Sequence, residues 1–338
     1  MFKQYMRNMW KTIKEYASKE VVPENDSPGY NAWVSLKRAH AKRLTHRMLQ
    51  CVSTLDIRPF GARANVVIFH GYRSHVGLMK PVIDAFVDGG FNVFACDLPN
   101  HGNSVKDEKD HGFVESRKDL FRVVKAAVSN VILSESRGHL PTFIVGHSLG
   151  AMLALRLLQT RPSIRKKVQG VVSASLPIDV DHNVKPFIQK LERFIIPLTP
   201  FWEWLWPRAP MDSPYIAPGV RDGFENDSLV GQDDRFYTGP LMLKTAMEIR
   251  RITINTREHF SELRRMPILF LHGEKDSIAS YELLKKDYDD VSSTRWTWKG
   301  YRGVGHDLFH EYEPSIELAV KWVDAHVKRL EVKQRRLN

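Results

Sequence analysis

The sequence has 338 residues, 43% of them apolar and 26% charged, with a net charge of +11. This is ordinary globular composition, with enough chain for one large core plus an insertion or for two modest domains. No apolar run reaches the length of about 18 residues that a transmembrane helix needs, and no signal-peptide apolar region is found near the N-terminus.

The charge is uneven. Residues 1–47 carry ten Lys and Arg against four acids, and residues 328–338 carry five against one, which leaves the 280 residues between them at +1. A neutral body with basic ends disfavours nucleic acid as a partner, because a nucleic-acid enzyme concentrates charge around its reactive site. An anionic membrane surface suits such ends better. Two cysteines, Cys51 and Cys96, fit a reducing compartment and a cytoplasmic protein. Both lie in strand-like apolar stretches and read as buried.

Taken in chain order, residues 1–17 come first as a basic amphipathic helix. Phe2, Tyr5, Met6, Met9, Trp10, Ile13 and Tyr16 recur on one face, with Lys3, Arg7, Lys11 and Lys14 opposite. Three readings stand side by side: docking on the main domain, peripheral membrane contact, and mitochondrial targeting. Residues 23–30 read as a linker and 37–47 as a solvated basic run.

From about residue 49 an α/β rhythm begins. Strand-like LQCVSTLDI, VVIFHG, FNVFACDL, TFIVGHS, VQGVVSAS, PILFLHGEKD and TRWTWKG alternate with helical patterns near 79–88, 116–134, 148–160, 280–288 and 314–330. Short continuous apolar strands separated by helices predict a mostly parallel central sheet with helices on both faces. Residues 177–245 break the rhythm and read as a cap inserted above the sheet. Phe201, Trp202, Trp204, Leu205 and Trp206 cluster there, as a lipid-facing lid surface or as the small core of the insertion. The organisation expected is a 1–48 extension, a core of 49–176 and 246–330, a 177–245 cap and a basic tail at 331–338.

Gly146-His147-Ser148-Leu149-Gly150 fits G-x-S-x-G, a strand turning sharply into a helix so that the serine stands exposed at the helix N-terminus. Small residues two before and two after the serine let neighbouring backbone approach. A serine hydroxyl needs a base, and the chain order expected is Ser, acid, His. Asp276 follows one later strand and His306 another, with Glu274 and His310 as rivals. Asp276 orients and stabilises the imidazole, and His306 moves the proton. Two backbone N–H groups, of Leu149 and Tyr72, are expected to form the oxyanion hole. His70, His75 and His101 read as loop-bracing groups. Candidate pocket residues are His75, His147, Trp202, Trp206 and Ile278. The i, i+4 pair His306 and His310 lacks a third ligand, so no metal is expected, and no cofactor either.

HGYRSHVG, DLPNHGNS, GHSLG, LHGEKD and GVGHDLFHE in this order resemble the monoacylglycerol lipase and lysophospholipase group of the α/β-hydrolase fold, near the serine aminopeptidase family. The resemblance covers about residues 49–330. It implies Ser148 as nucleophile, Asp276 as acid, His306 as base, Tyr72 and Leu149 as oxyanion donors and 177–245 as an amphipathic cap that admits an acyl chain. The group often has Arg-Tyr where Leu78-Met79 stand here, GHSMGG where GHSLGA stands, and a smaller residue than Tyr72. The function implied is hydrolysis of single-chain lipid esters, monoacylglycerol or lysophospholipid, through an acyl-enzyme. A general carboxylesterase for small or aromatic esters is the alternative, and a non-catalytic hydrolase-fold membrane scaffold is the alternative of another class.

Overall fold

The computed structural model describes residues 45–179, 199–211 and 235–336. The amphipathic 1–17 segment and most of the proposed cap lie outside the described residues. Seven strands form one sheet: β1 Thr54–Ile57, β2 Asn65–Phe69, β3 Asn92–Cys96, β4 Thr142–His147, β5 Val168–Ala174, β6 Ile268–Gly273 and β7 Trp296–Tyr301. Their order is β1-β3-β2-β4-β5-β6-β7, and every pairing except β1 with β3 is parallel. The sheet is mixed and mostly parallel, as the alternation of apolar strands and helices predicts.

Strand periodicity divides the core in two. Val67 and Phe69 of β2, Ile144 of β4 and Phe270 of β6 face one cluster, whereas Val66, Ile68, Val145 and Leu271 face the other. Alternate side chains of a strand point to opposite faces, so an all-apolar strand requires cover on both. Helices α1 (Lys80–Asp88) and α8 (Pro314–Arg335) cover one face. Helices α2 (Arg117–Ile132), α3 (Leu149–Thr160) and α5 (Leu243–Glu258) cover the other. Further helices include α4 (Thr199–Leu205), α6 (Tyr281–Val291) and the single turn α7 (Leu308–Glu311).

Three expectations need correction. LQCVSTLDI is not one strand: residues 45–49 are helical, Cys51 is half-buried in the following turn, and the strand begins at Thr54. Leu49 and Val52 spend their apolar surface on the core from outside the sheet, which gave the run its strand-like look. The core resumes at Leu243, slightly before the expected 246, because α5 packs on α3. The basic C-terminal stretch is helical through Arg335, and Lys333 lines a cleft with Lys166 and Lys167 at the N-terminal edge of the sheet. No helix among the described residues is long and apolar enough to cross a membrane.

Candidate active site

The chain leaves β4 at His147 and enters α3 at Leu149, so Ser148 makes the whole turn, with φ of 49° and ψ of −119°. Such backbone costs about 1–3 kcal/mol and persists only where the surroundings hold it. Here Ser148 N–H donates to the Ala174 carbonyl at the end of β5 (2.9 Å), and the Ser148 carbonyl accepts from Met152 N–H in α3 (3.1 Å). The flanking glycines are steric requirements. A Cβ at Gly146 would stand 2.5 Å from Ala151 Cα, and one at Gly150 would collide with the Phe69 and His70 carbonyls.

Because β2, β4, β6 and β7 are parallel, the loops after them meet at one edge of the sheet. Ser148 Oγ lies 2.9 Å from His306 Nε2, and His306 Nδ1 lies 2.8 and 2.9 Å from the two oxygens of Asp276. A carboxylate only accepts, so Nδ1 carries the proton and Nε2 is left to accept from the serine. Asp276 sits in a turn where Ile278 N–H and Ala279 N–H donate to its Oδ1 (2.9 and 2.8 Å). Burial alone would raise its pKa, but the charge of His306 and its hydrogen bond, with His272 and the Ala279 amide, outweigh burial and hold it below the usual carboxylate range.

The rivals are elsewhere. Glu274 is exposed, and its N–H donates to the Tyr301 carbonyl. His310 Nε2 donates to the Leu78 carbonyl (2.7 Å) while Nδ1 faces Asp307 Oδ1 (3.0 Å). His147 also serves the histidine loop, because its Nε2 donates to the His306 carbonyl (3.0 Å) and its ring packs on His306 and Phe309. Burial, then the nearby His306, lowers the His147 pKa to about 4 and keeps that ring neutral.

Leu149 opens α3, so its N–H belongs to the free N-terminal turn beside Ser148. The loop after β2 approaches the same point, and a Cβ at Gly71 would be 3.2 Å from Ser148 Cβ. His70 ties that loop down. Leu98 N–H donates to its Nε2 (2.8 Å), so the proton sits on Nδ1 and is donated to the Gly71 carbonyl (2.8 Å). His75 Nδ1 accepts from Gly77 N–H (3.0 Å), and His101 Nδ1 donates to the Pro99 carbonyl (2.9 Å). Burial lowers both His70 and His101 to about 3.

Among the candidate pocket residues, Ile278 is half-buried and His75 fully buried. Trp202 and Trp206 stack on each other, with centroids 5.2 Å apart and planes 9° apart. Two contributors had no local signal in the sequence. His272 on β6 donates to the Ala279 carbonyl (2.9 Å), with its Nε2 3.3 Å from Asp276 Oδ2. The other is the segment 235–242, which lies on the loop after β2.

Comparison with known proteins identifies a family and a shared fold. The family described as serine aminopeptidase, S33 matches residues 61–313. A caffeoylshikimate esterase of Arabidopsis thaliana is 25% identical over 79% of this chain and 79% of its own. A monoacylglycerol lipase of Mycolicibacterium smegmatis is 24% identical over 83% of this chain and 94% of its own. Among solved structures, a monoacylglycerol lipase of Paleococcus ferrophilus superposes with a TM-score of 0.64 at 21% identity, covering 81% of this chain and 99% of that one.

Proposed function

This chain belongs to the serine aminopeptidase S33 family of α/β-hydrolases, within its esterases and lipases, and from that premise we propose that it hydrolyses carboxylic esters of single-chain lipids. The observation that carries the chemistry is the unbroken series Ser148 Oγ, His306 Nε2, His306 Nδ1 and Asp276 on a strained elbow.

In this reading Ser148 Oγ attacks the ester carbonyl as His306 Nε2 takes its proton. The tetrahedral oxyanion accepts hydrogen bonds from the Leu149 and Tyr72 amides, charge that develops only as the reaction proceeds. His306 then gives its proton to the departing alkoxide, leaving an acyl-Ser148. Water, deprotonated by the same nitrogen, attacks the acyl carbon, and collapse returns the proton to Ser148 and frees the acid. Asp276 keeps the proton on Nδ1 throughout and stabilises the imidazolium.

The lipid substrate is supported by the described part of the cap. Helix α4 turns Glu203 inward and leaves Phe201, Trp204, Leu205 and Trp206 exposed, the residue types that sit at a lipid interface. A second reading, a small or aromatic ester, is favoured by the similarity to the Arabidopsis esterase.

Oleate release from 2-oleoylglycerol, measured beside oleoyl-lysophosphatidylcholine and p-nitrophenyl butyrate, tests the proposal. Ser148→Ala is expected to abolish turnover of all three and labelling by a fluorophosphonate. Fast release from either lipid upholds the lipid reading, and turnover of the butyrate alone replaces it with the second. Retention of activity in Ser148→Ala removes the mechanism.

A further inference from the structure

Immediately after Tyr72 comes Arg73, a non-glycine residue with φ of 70° and a side chain that is only 4% exposed. A left-handed φ is unfavourable for any residue carrying a Cβ and lasts only where neighbouring structure imposes it. The structure that imposes it here is chain returning from the insertion, more than 160 residues away. Tyr237 N–H donates to the Arg73 carbonyl (3.0 Å), and Arg73 Nη2 donates to the Gly239 carbonyl (2.5 Å). The guanidinium stands 5.8 Å from the centre of the Tyr237 ring, which in turn meets Tyr72 edge-on at 6.3 Å.

The returning segment is itself well seated. The Tyr237 hydroxyl donates to the Pro240 carbonyl (2.8 Å), its ring fills the space over Gly112, and Phe236 packs on Leu78. The peptide joining Gly71 to Tyr72 is planar, so its N–H is aimed jointly by the hydrogen bond at its carbonyl and by the backbone that follows Tyr72. His70 holds that peptide by its carbonyl, from the core. Tyr237 and Gly239 hold the Arg73 carbonyl and side chain, on the far side of Tyr72.

We propose that Arg73 is a positioning residue that couples residues 235–242 to the oxyanion site. This rests on the ester-hydrolase reading above and adds a dependence to it. When 235–242 is seated, the backbone at Arg73 is locked and the Tyr72 N–H is presented to the developing oxyanion. When that segment lifts, the left-handed turn relaxes and the donor turns away. Seating of the insertion and completion of the oxyanion hole are then one event.

The test uses the full chain with Arg73→Gly and Arg73→Lys, p-nitrophenyl butyrate as substrate and an alkyl trifluoromethyl ketone as a tetrahedral mimic. Glycine adopts the required φ freely, so Arg73→Gly removes the side-chain ties to Gly239 and the Tyr237 ring without adding backbone strain, and leaves the Tyr237 N–H bond to the residue-73 carbonyl in place. The kcat of Arg73→Gly is expected to fall about 10- to 100-fold, less than the loss of about 10²–10³ for a deleted donor. KM should stay within about twofold, and affinity for the mimic should fall by the same factor as kcat. Arg73→Lys, too short to serve ring and carbonyl together, should fall between. If Arg73→Gly loses its circular-dichroism signature of folding, the same readings on Arg73→Lys decide. Wild-type kcat and mimic affinity in the folded variant, whether or not Tm drops, overturn the coupling. An inert wild-type chain that a fluorophosphonate does not label removes the hydrolase reading instead, so the two failures are distinguishable.

Discussion

Two regions of this molecule break the rule that polar groups face water and apolar groups face the core, and they break it in opposite senses. The C-terminal edge of the sheet buries His70, His101, His147 and His272. Helix α4 buries Glu203 and exposes Phe201, Trp204, Leu205 and Trp206. At the sheet edge the anomaly is settled inside the protein, since each ring has a backbone partner and burial keeps it neutral. On α4 only the inward half is settled. Glu203 pairs with Lys244 and Arg251, which also hold the buried Glu248. Among the described residues the rings of the outward aromatic face meet only one another and Trp202. One region uses misplaced polarity to fix geometry, and the other leaves apolar surface exposed, as the proposed contact with lipid requires.

The largest effect that tests the first half of this comparison is on the acid. Asp276→Asn leaves shape and burial intact but lets His306 settle in the wrong tautomer, with Nδ1 bare and Nε2 protonated against Ser148. A fall in kcat of about 10⁴ with little change in KM is expected on the butyrate ester. A loss under about tenfold would mean that the buried edge fixes His306 without its carboxylate.

Much of that edge was legible in the sequence. Ser148, Asp276 and His306 each follow an apolar strand, and parallel strands bring such positions together whatever lies between them. The glycines at 146 and 150 announced a close backbone approach, which the Ala151 backbone and the Phe69 and His70 carbonyls supply. Other features had no local signal. His272 reads as one more residue of an apolar strand, and its hold on the Asp276 turn exists only once that turn has folded back. Arg73 looks like a solvated loop cation until residues 235–242 cover it. The run through Cys51 was misleading because a helix end and a turn can spend apolar residues on a core as a strand does. The polarity of α4 was undecidable from sequence, where Trp202, Trp204 and Trp206 suit a small core and a surface equally.

The next effect concerns stability in acid. His70 and His101 are held near a pKa of about 3 and His147 near about 4, all below the unfolded value of about 6.5. Unfolding therefore takes up protons, so stability from these neutral rings is full above pH about 6.5 and is lost as pH falls toward the folded values. Asp276, also depressed, acts in the same direction at lower pH. Three such rings give a slope approaching about 4 kcal/mol per pH unit between pH about 6 and 5. Urea denaturation across that range measures it. His101→Gln should remove about a third of the slope, whereas an unchanged slope would show that the rings are protonated in the folded state.

The smallest effect tests the other half, and it separates surface from scaffold. Trp204 is 76% exposed and Trp206 56% exposed, so Trp204→Glu with Trp206→Glu removes the stack of Trp206 on Trp202 but no contact with either core cluster, and should change Tm by little. Glu203 and its ion pairs still seat the helix. If the outward face meets lipid, two new carboxylates there oppose entry into the interface and are repelled by anionic headgroups. Hydrolysis of 2-oleoylglycerol presented in anionic vesicles should then fall about tenfold, equivalent to about 1.4 kcal/mol of lost interfacial binding. Turnover of water-soluble p-nitrophenyl butyrate should stay at the wild-type rate. A parallel fall on both substrates would make α4 a support for the site and not a surface for lipid. No fall on either would leave the exposed tryptophans without a function in catalysis and would remove the structural support for a lipid substrate.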